Sequence, residues 1–199
     1  MLYPNAQLYH SIKTIFVHVP KTAGTSIERY LCMSNRIIVG GHTSAMAYQA
    51  KYPHYFSEYF TFAIVRDPIM RFRSAYRYLR QQPVNSVHSN HIIHSLPSID
   101  AFIEHLLEHP YLLKKIVHIL PQHEFVCDED GRILVNSVFK YERLADAWIC
   151  ICQRIGIPWT PLARVNASPI TGTKDAISTT MTAELLKLYM RDYEIFDYS

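Results

Sequence analysis

The chain has 199 residues, 49% hydrophobic and 19% charged, with a formal net charge of +3; this is ordinary for a soluble globular protein, and the length suits one domain over residues 1–199 with a real core. The mild positive charge suits an anionic small ligand and falls short of a nucleic-acid-binding surface. No apolar run reaches the ~18 residues of a membrane span, and the opening stretch MLYPNAQLYHSIK lacks the apolar centre of a signal peptide.

Strand-like runs fall at 14–19, 36–39, 60–65, 124–127 and 133–139, and helical patterns at 24–33, 68–82, 98–109, 111–119, 142–155 and 180–191. Their alternation in the first half predicts an α/β fold with a central, mainly parallel sheet flanked by helices. In the first unit, Ile15 to Val19 is β-branched and apolar enough for a central parallel strand, and Pro20 stops it for want of an N–H. Ile27, Tyr30 and Leu31 then recur at helical spacing, so a helix starts near Gly24 or Thr25. Between strand and helix lie Lys21, Thr22, Ala23, Gly24, Thr25 and Ser26, a cation followed by small residues. Small residues let the backbone approach a ligand, and the first helical turn points its N–H groups there. An anion such as phosphate suits this turn.

The stretch FTFAIVRDPIMRFRSAYRYLRQQ at 60–82 repeats the strand-to-helix step with different chemistry. Phe62 to Val65 form the strand, Asp67 caps the helix, and Pro68 takes its first position. Ile69, Phe72, Tyr76 and Leu79 make an apolar stripe, and Ser74 falls on the opposite side. Arg66 stands at the strand's carboxyl end, where open α/β sheets bind their ligands. Arg71, Arg73, Arg77 and Arg80 add positive charge, with Arg77 and Arg80 read as a solvated face. Two anion-suited strand ends imply a ligand with two separated anionic groups.

Further along, segments 82–97 and 156–179 read as long loops, and Gly156 followed by Pro158 ends a helix carrying Leu144, Trp148, Ile151 and Ile155. The stretch CDEDGRIL reads as a hairpin turn at Asp130-Gly131 rather than a calcium loop, since Phe139 stands where that loop needs its bidentate Glu. His88, His91 and His94 are spaced three apart, without a nearby Cys or carboxylate, and make a poor zinc set. Cys32, Cys127, Cys150 and Cys152 have no framework spacing and read as free thiols in a reducing, cytoplasmic setting.

The stretches HVPKTAGTS and AIVRDPIMRFRSAY resemble the 5′-phosphosulfate loop and the 3′-phosphate-binding strand and helix of the sulfotransferases, in the variant of the carbohydrate (heparan and chondroitin) branch. FKYERLADAW resembles that family's Tyr-Glu-x-Leu junction, Asn166-Ala167-Ser168 its Asn-x-Ser loop, and LYMRDYEIFDY its C-terminal ending. The resemblance implies a three-layer P-loop NTPase-like fold and 3′-phosphoadenosine 5′-phosphosulfate (PAPS) as donor. It also implies in-line sulfuryl transfer to a hydroxyl or amine, with a carbohydrate the first candidate acceptor, and a mechanism that requires no metal. It gives Lys21 the bridging oxygen and sulfonate. Thr22, Ala23, Gly24, Thr25 and Ser26 form the loop around the 5′-phosphate, and Arg66 with Ser74 takes the 3′-phosphate. GGHTSAMAYQ, after the second predicted strand, resembles the segment that carries the histidine base of the heparan-type enzymes, which makes His42 the candidate base.

Two other readings compete with this one. A P-loop kinase needs Lys after its glycines in Gly-Lys-Ser/Thr, but Lys21 precedes Gly24 and the chain has no Gly-Lys pair. A non-catalytic nucleotide-binding protein needs no base beside the donor, which makes His42 the discriminating residue. Glu28 reads as paired with Arg29 or solvated, Glu142 as an acid at a helix N-terminus, and the Asn166 sequon, followed by Pro169, as unused.

Overall fold

The computed structural model describes residues 8–32, 41–85, 90–163 and 176–199. In chain order the elements are β1 (Leu8–Tyr9), β2 (Thr14–Val17), α1 (Gly24–Leu31), α2 (Ala45–Lys51), α3 (Pro53–Glu58), β3 (Phe60–Val65) and α4 (Pro68–Gln81). There follow α5 (Asn90–Ser95), α6 (Ile99–Glu108), α7 (Leu112–Lys115), α8 (His123–Val126), β4 (Ser137–Lys140), α9 (Leu144–Ile155), α10 (Thr179–Leu188) and α11 (Met190–Ile195). The chain divides into two compact units, Met1–Arg66 with Gln122–Val165, and Asp67–Pro121 with Asn166–Ser199.

The first unit holds a mostly parallel four-stranded sheet flanked by helices, in the order β1-β2-β3-β4. β1 pairs antiparallel with β2, and β2, β3 and β4 run parallel, with Phe16 opposite Phe62 and Ile64 opposite Phe139. Alternate side chains share a face, so Phe16, Phe62 and Ile64 point together. They pack with Ile27 and Leu31 of α1 and with Trp148, Ile151 and Cys152 of α9 in one buried cluster. The Phe16 and Phe62 rings stack at 4.8 Å. Each such side chain contributes about 1.5–3 kcal/mol by leaving water. Ile15, Val17, Ala63 and Val65, on the other face, are equally buried, which is why both strands read as unbroken apolar runs. α9 ends at Gly156, left-handed at φ +70, as its sequence predicts.

The second unit is helical, with Phe72, Tyr76 and Leu79 of α4 packed among Phe102, Ile103 and Leu106 of α6 and Leu185 of α10. The side chains of Asp67, Ser98 and Ser178 cap α4, α6 and α10, accepting from Met70, Ala101 and Met181 N–H groups.

Several sequence expectations change. The segment 124–127 is the short helix α8, not a strand, because a run as short as Phe125-Val126 fits either period, and Cys127 N–H closes an α-turn on His123 O. The strand expected over 133–139 is confined to Ser137–Lys140, and the hairpin at Asp130-Gly131 keeps a single bridge, Cys127 with Ile133. The helix expected over 111–119 ends at Lys115, and the presumed loop 82–97 contains α5. Expected helix 180–191 divides at Tyr189 into α10 and α11, while α2 and α3 had no clear sequence signal. The strand expected at 36–39 lies outside the described residues.

The basic face of α4 also reads differently. Arg71 is fully buried and donates to the carbonyls of His118 and Leu120 at 3.0 and 2.7 Å. Arg80 donates to the carbonyls of Ile93 and Leu96, at the end of α5. A guanidinium's several donors suit it to collecting carbonyls, so these two arginines brace backbone rather than face solvent.

Candidate functional site

The chain leaves β2 at Val17 and enters α1 at Gly24 through a turn with two left-handed non-glycine residues, Lys21 at φ 70 and Ala23 at φ 67. Each such residue costs about 1–3 kcal/mol and persists only where its surroundings fix it. Three bonds do so here. Val19 N–H donates to Val17 O at 3.1 Å, the Thr22 hydroxyl to Val19 O at 2.8 Å, and Ser26 N–H to Ala23 O at 3.0 Å. Thr22 thus uses its hydroxyl proton inside the turn. Gly24 and Thr25 open the helix, where N–H groups have no intrahelical acceptor. Left-handed steps in such a turn gather backbone N–H groups on one side, an arrangement suited to an anion.

Behind the turn lies a buried pair that sequence reasoning missed. His18 Nδ1 lies 2.8 Å from Glu28 Oε1, with His18 6% and Glu28 3% exposed. Glu28 is therefore buried against His18 rather than solvated. The His18 ring stacks on Phe16 at 5.5 Å and lies flush against Gly24, where an added Cβ would fall 1.9 Å from Nε2. Gly24 is required by this close approach. His18, just past β2, and helix residue Glu28 are ten apart, so neither the period of 2 nor that of 3.6 pairs them.

His42 joins the same group. Its Nδ1–H donates to His18 O at 3.1 Å, and its ring meets the His18 ring edge-on at 4.7 Å. With the proton on Nδ1, a neutral ring keeps Nε2 as its basic nitrogen.

At the end of the neighbouring strand, Arg66 is held from both sides. Its N–H donates to Gln122 Oε1 at 2.8 Å, and its carbonyl accepts from Gln122 Nε2 at 2.7 Å. The fully buried Gln122 amide thereby clips one residue of backbone as an extra strand would. The Arg66 guanidinium lies over the Tyr141 ring at 4.3 Å, and its Nη1 donates to Lys21 O at 3.4 Å. Burial, and secondarily the Arg66 charge, lower the Lys21 ammonium from an ordinary 10.5 to about 8. Two cations thus come together where β2 and β3 end. Gln122 gave no sequence signal; Tyr141 stood in the FKYERLADAW motif with no role attached.

Among the other candidates, Ser74 sits half-buried on α4, in the second compact unit. His94 Nε2 lies 3.0 Å from Gln82 O, His91 is exposed on α5, and His88 lies outside the described residues, as does Asn166-Ala-Ser168. Glu142 is exposed in the 3-10 turn Tyr141–Arg143. Cys32, Cys127, Cys150 and Cys152 form no disulfide, and no helix among the described residues is long and apolar enough to cross a membrane.

Residues 9–199 match the family model described as "Sulfotransferase family". No curated protein and no solved structure gives a significant match.

Proposed function

The chain belongs to the sulfotransferase family, and on that premise we propose that it moves a sulfuryl group from PAPS to a hydroxyl, a carbohydrate hydroxyl first among candidates. The observation that carries this reading is the convergence of Lys21 and Arg66 beside the left-handed turn. A donor with a 5′-phosphosulfate and a separate 3′-phosphate offers one anionic group to each cation. The same arrangement, on neighbouring parallel strands, supports a P-loop NTPase-like fold. The family match crosses both compact units, which supports a single working domain over residues 1–199. The four cysteines form no disulfide, which favours a cytoplasmic, reducing setting.

In this reading the backbone of Thr22, Ala23, Gly24, Thr25 and Ser26 holds the 5′-phosphate, and Lys21 offsets the charge that develops on the leaving phosphate oxygen. Arg66 and Ser74 take the 3′-phosphate. The acceptor oxygen forms its bond to sulfur as the sulfur–oxygen bond to the phosphate breaks, and the acceptor proton passes to His42 Nε2. Catalysis is then positioning plus electrostatic stabilisation, and none of these roles calls for a metal.

A nucleotide panel tests the reading. 3′,5′-phosphoadenosine at ~100 times its Kd stabilises the fold by about 2.7 kcal/mol, a clear rise in Tm, whereas 5′-AMP and ATP with magnesium give much less. Equal shifts for AMP and the 3′-phosphorylated nucleotide overturn the donor assignment. Magnesium-dependent ATP binding favours a kinase. Tight donor binding without transfer to any of a panel of sugars and phenols favours a non-catalytic binder.

A further inference from the structure

At the end of α6 in the second unit, His105, Glu108 and His109 each direct one ligand atom to a common place, the three atoms lying within 4.8 Å of one another. His109 N–H donates to His105 O at 3.0 Å, so the last turn stays wound and the two imidazoles stand one above the other. Their ring centroids are 4.4 Å apart, at 63° between planes. The opposite side of the helix, through Phe102, Ile103 and Leu106, is buried in the unit's core, which fixes the helix that carries all three groups. Both histidines are half-buried and Glu108 is exposed.

From this geometry we propose that His105, Glu108 and His109 form a binding site for a zinc-class divalent ion. Two imidazoles and one carboxylate are a zinc donor set, with a fourth position left for water. Zinc–nitrogen bonds of about 2.0–2.1 Å put two nitrogens of a tetrahedral site about 3.4 Å apart, a closure within reach of side-chain rotation. Imidazole selects zinc, copper or nickel over magnesium and calcium, which take oxygen ligands. The carbonyl end of the helix carries partial negative charge and adds to the attraction for a cation. The ion bridges residues one turn apart and staples the end of α6. The spacing of four brings two rings onto one side of the helix, which the spacing of three in His88, His91 and His94 does less well.

The test is metal titration of the full chain, with Zn²⁺ for affinity and Co²⁺ for its visible spectrum. The wild-type protein is expected to take up an equivalent of Zn²⁺ that the His105→Ala/His109→Ala variant does not. The Co²⁺ form should show the intense bands of four-coordinate cobalt, and Mg²⁺ and Ca²⁺ should leave Tm unchanged. Loss even of a group that only supports a metal ligand weakens binding about 10–100-fold, so Glu108→Gln should weaken Zn²⁺ binding at least ~10-fold. Because Glu108 is exposed, this variant keeps the fold and stays informative if the double variant does not fold. Equal Zn²⁺ uptake by the wild-type and folded double-variant proteins, no uptake by either, or an unchanged affinity in Glu108→Gln overturns the site. None of these readouts depends on sulfotransferase activity.

Discussion

After Val17 the chain takes six residues, two of them left-handed, to reach α1; after Val65 it takes two to reach α4. The first junction has no side-chain cap on its helix, whereas the second is closed by Asp67, whose Oδ1 accepts from Met70 N–H at 2.7 Å, and by Pro68 at the first helical position. Strain at the first is held by a buried histidine–glutamate pair packed on a glycine. At the second, an unstrained turn presents Arg66, clamped by Gln122 and backed by Tyr141. The contrast separates two ways of building an anion site. One shapes the backbone so that its N–H groups form the receptor; the other leaves the backbone ordinary and fixes a single charged side chain. A change in the first should damage fold and chemistry together, and a change in the second should damage affinity alone.

The largest expected effect breaks the first junction outright. Gly24→Ala places a Cβ 1.9 Å from His18 Nε2, so the ring must move and its bond to Glu28 breaks. Disrupting a buried pair typically costs about 3–5 kcal/mol, read here as a lower denaturant midpoint at unchanged m-value. A variant as stable as wild type would mean that the turn needs no such packing. Next come the rates. Lys21→Ala and His42→Ala should each lower kcat at least ~100-fold, the first through lost charge stabilisation and the second through the lost base. Arg66→Ala should instead raise the donor KM with little change in kcat. Parallel losses in all three would dissolve the distinction between the junctions.

Acidity sharpens the comparison, because Lys21 is depressed to about 8 by burial first and by Arg66 second. An anion needs the protonated amine, so affinity for 3′,5′-phosphoadenosine should fall as pH rises through about 8, by up to ~10-fold per pH unit. Removing the neighbouring charge with Arg66→Ala should move that midpoint upward, whatever its effect on affinity. The ligand-free protein should show the opposite trend. Between about 8 and 10.5 the unfolded chain holds the Lys21 proton that the folded chain has lost, so this group's contribution to stability rises with pH across that window. The difference in stability between wild type and Lys21→Met, followed over pH, isolates it.

Both junctions were legible in the sequence as strand, turn and helix because every signal for them is local. The apolar runs of β2 and β3, Pro20, the small residues, and the Asp67-Pro68 cap all sit within a few positions of what they control. What holds the junctions is not local. Gln122 meets Arg66 across 56 positions, and His18 meets Glu28 across the change from strand to helix, where no single periodicity applies. Arg71 is the same lesson in the second unit. In the sequence Arg71 reads only as added positive charge on α4, whereas in the fold it is buried and donates to the carbonyls of His118 and Leu120, 47 and 49 positions away. The short run at 124–127 failed for want of length, since four residues cannot distinguish a period of 2 from one of 3.6. The roles of the site residues were legible only as a resemblance, and kinetics must test them.

The smallest effect tests how the second junction fixes its charge. Arg66 lies with its guanidinium 4.3 Å from the centre of the half-buried Tyr141 ring. A cation over an aromatic face in a partly wet setting is worth about 0.5–1 kcal/mol. Tyr141→Leu keeps an apolar surface but removes the quadrupole, so the guanidinium loses its platform while Gln122 still holds the Arg66 backbone. The donor KM should then rise roughly 2- to 5-fold, the equivalent of that energy, with kcat and the pH midpoint of Lys21 unchanged. Tyr141→Phe keeps the ring and should leave donor KM near wild type. A drop in kcat with Tyr141→Leu would show that the platform positions the reacting groups as well as Arg66. A rise in KM equal to that of Arg66→Ala would show that the guanidinium cannot find its place without the ring, and that the Gln122 clip does not by itself organise this junction.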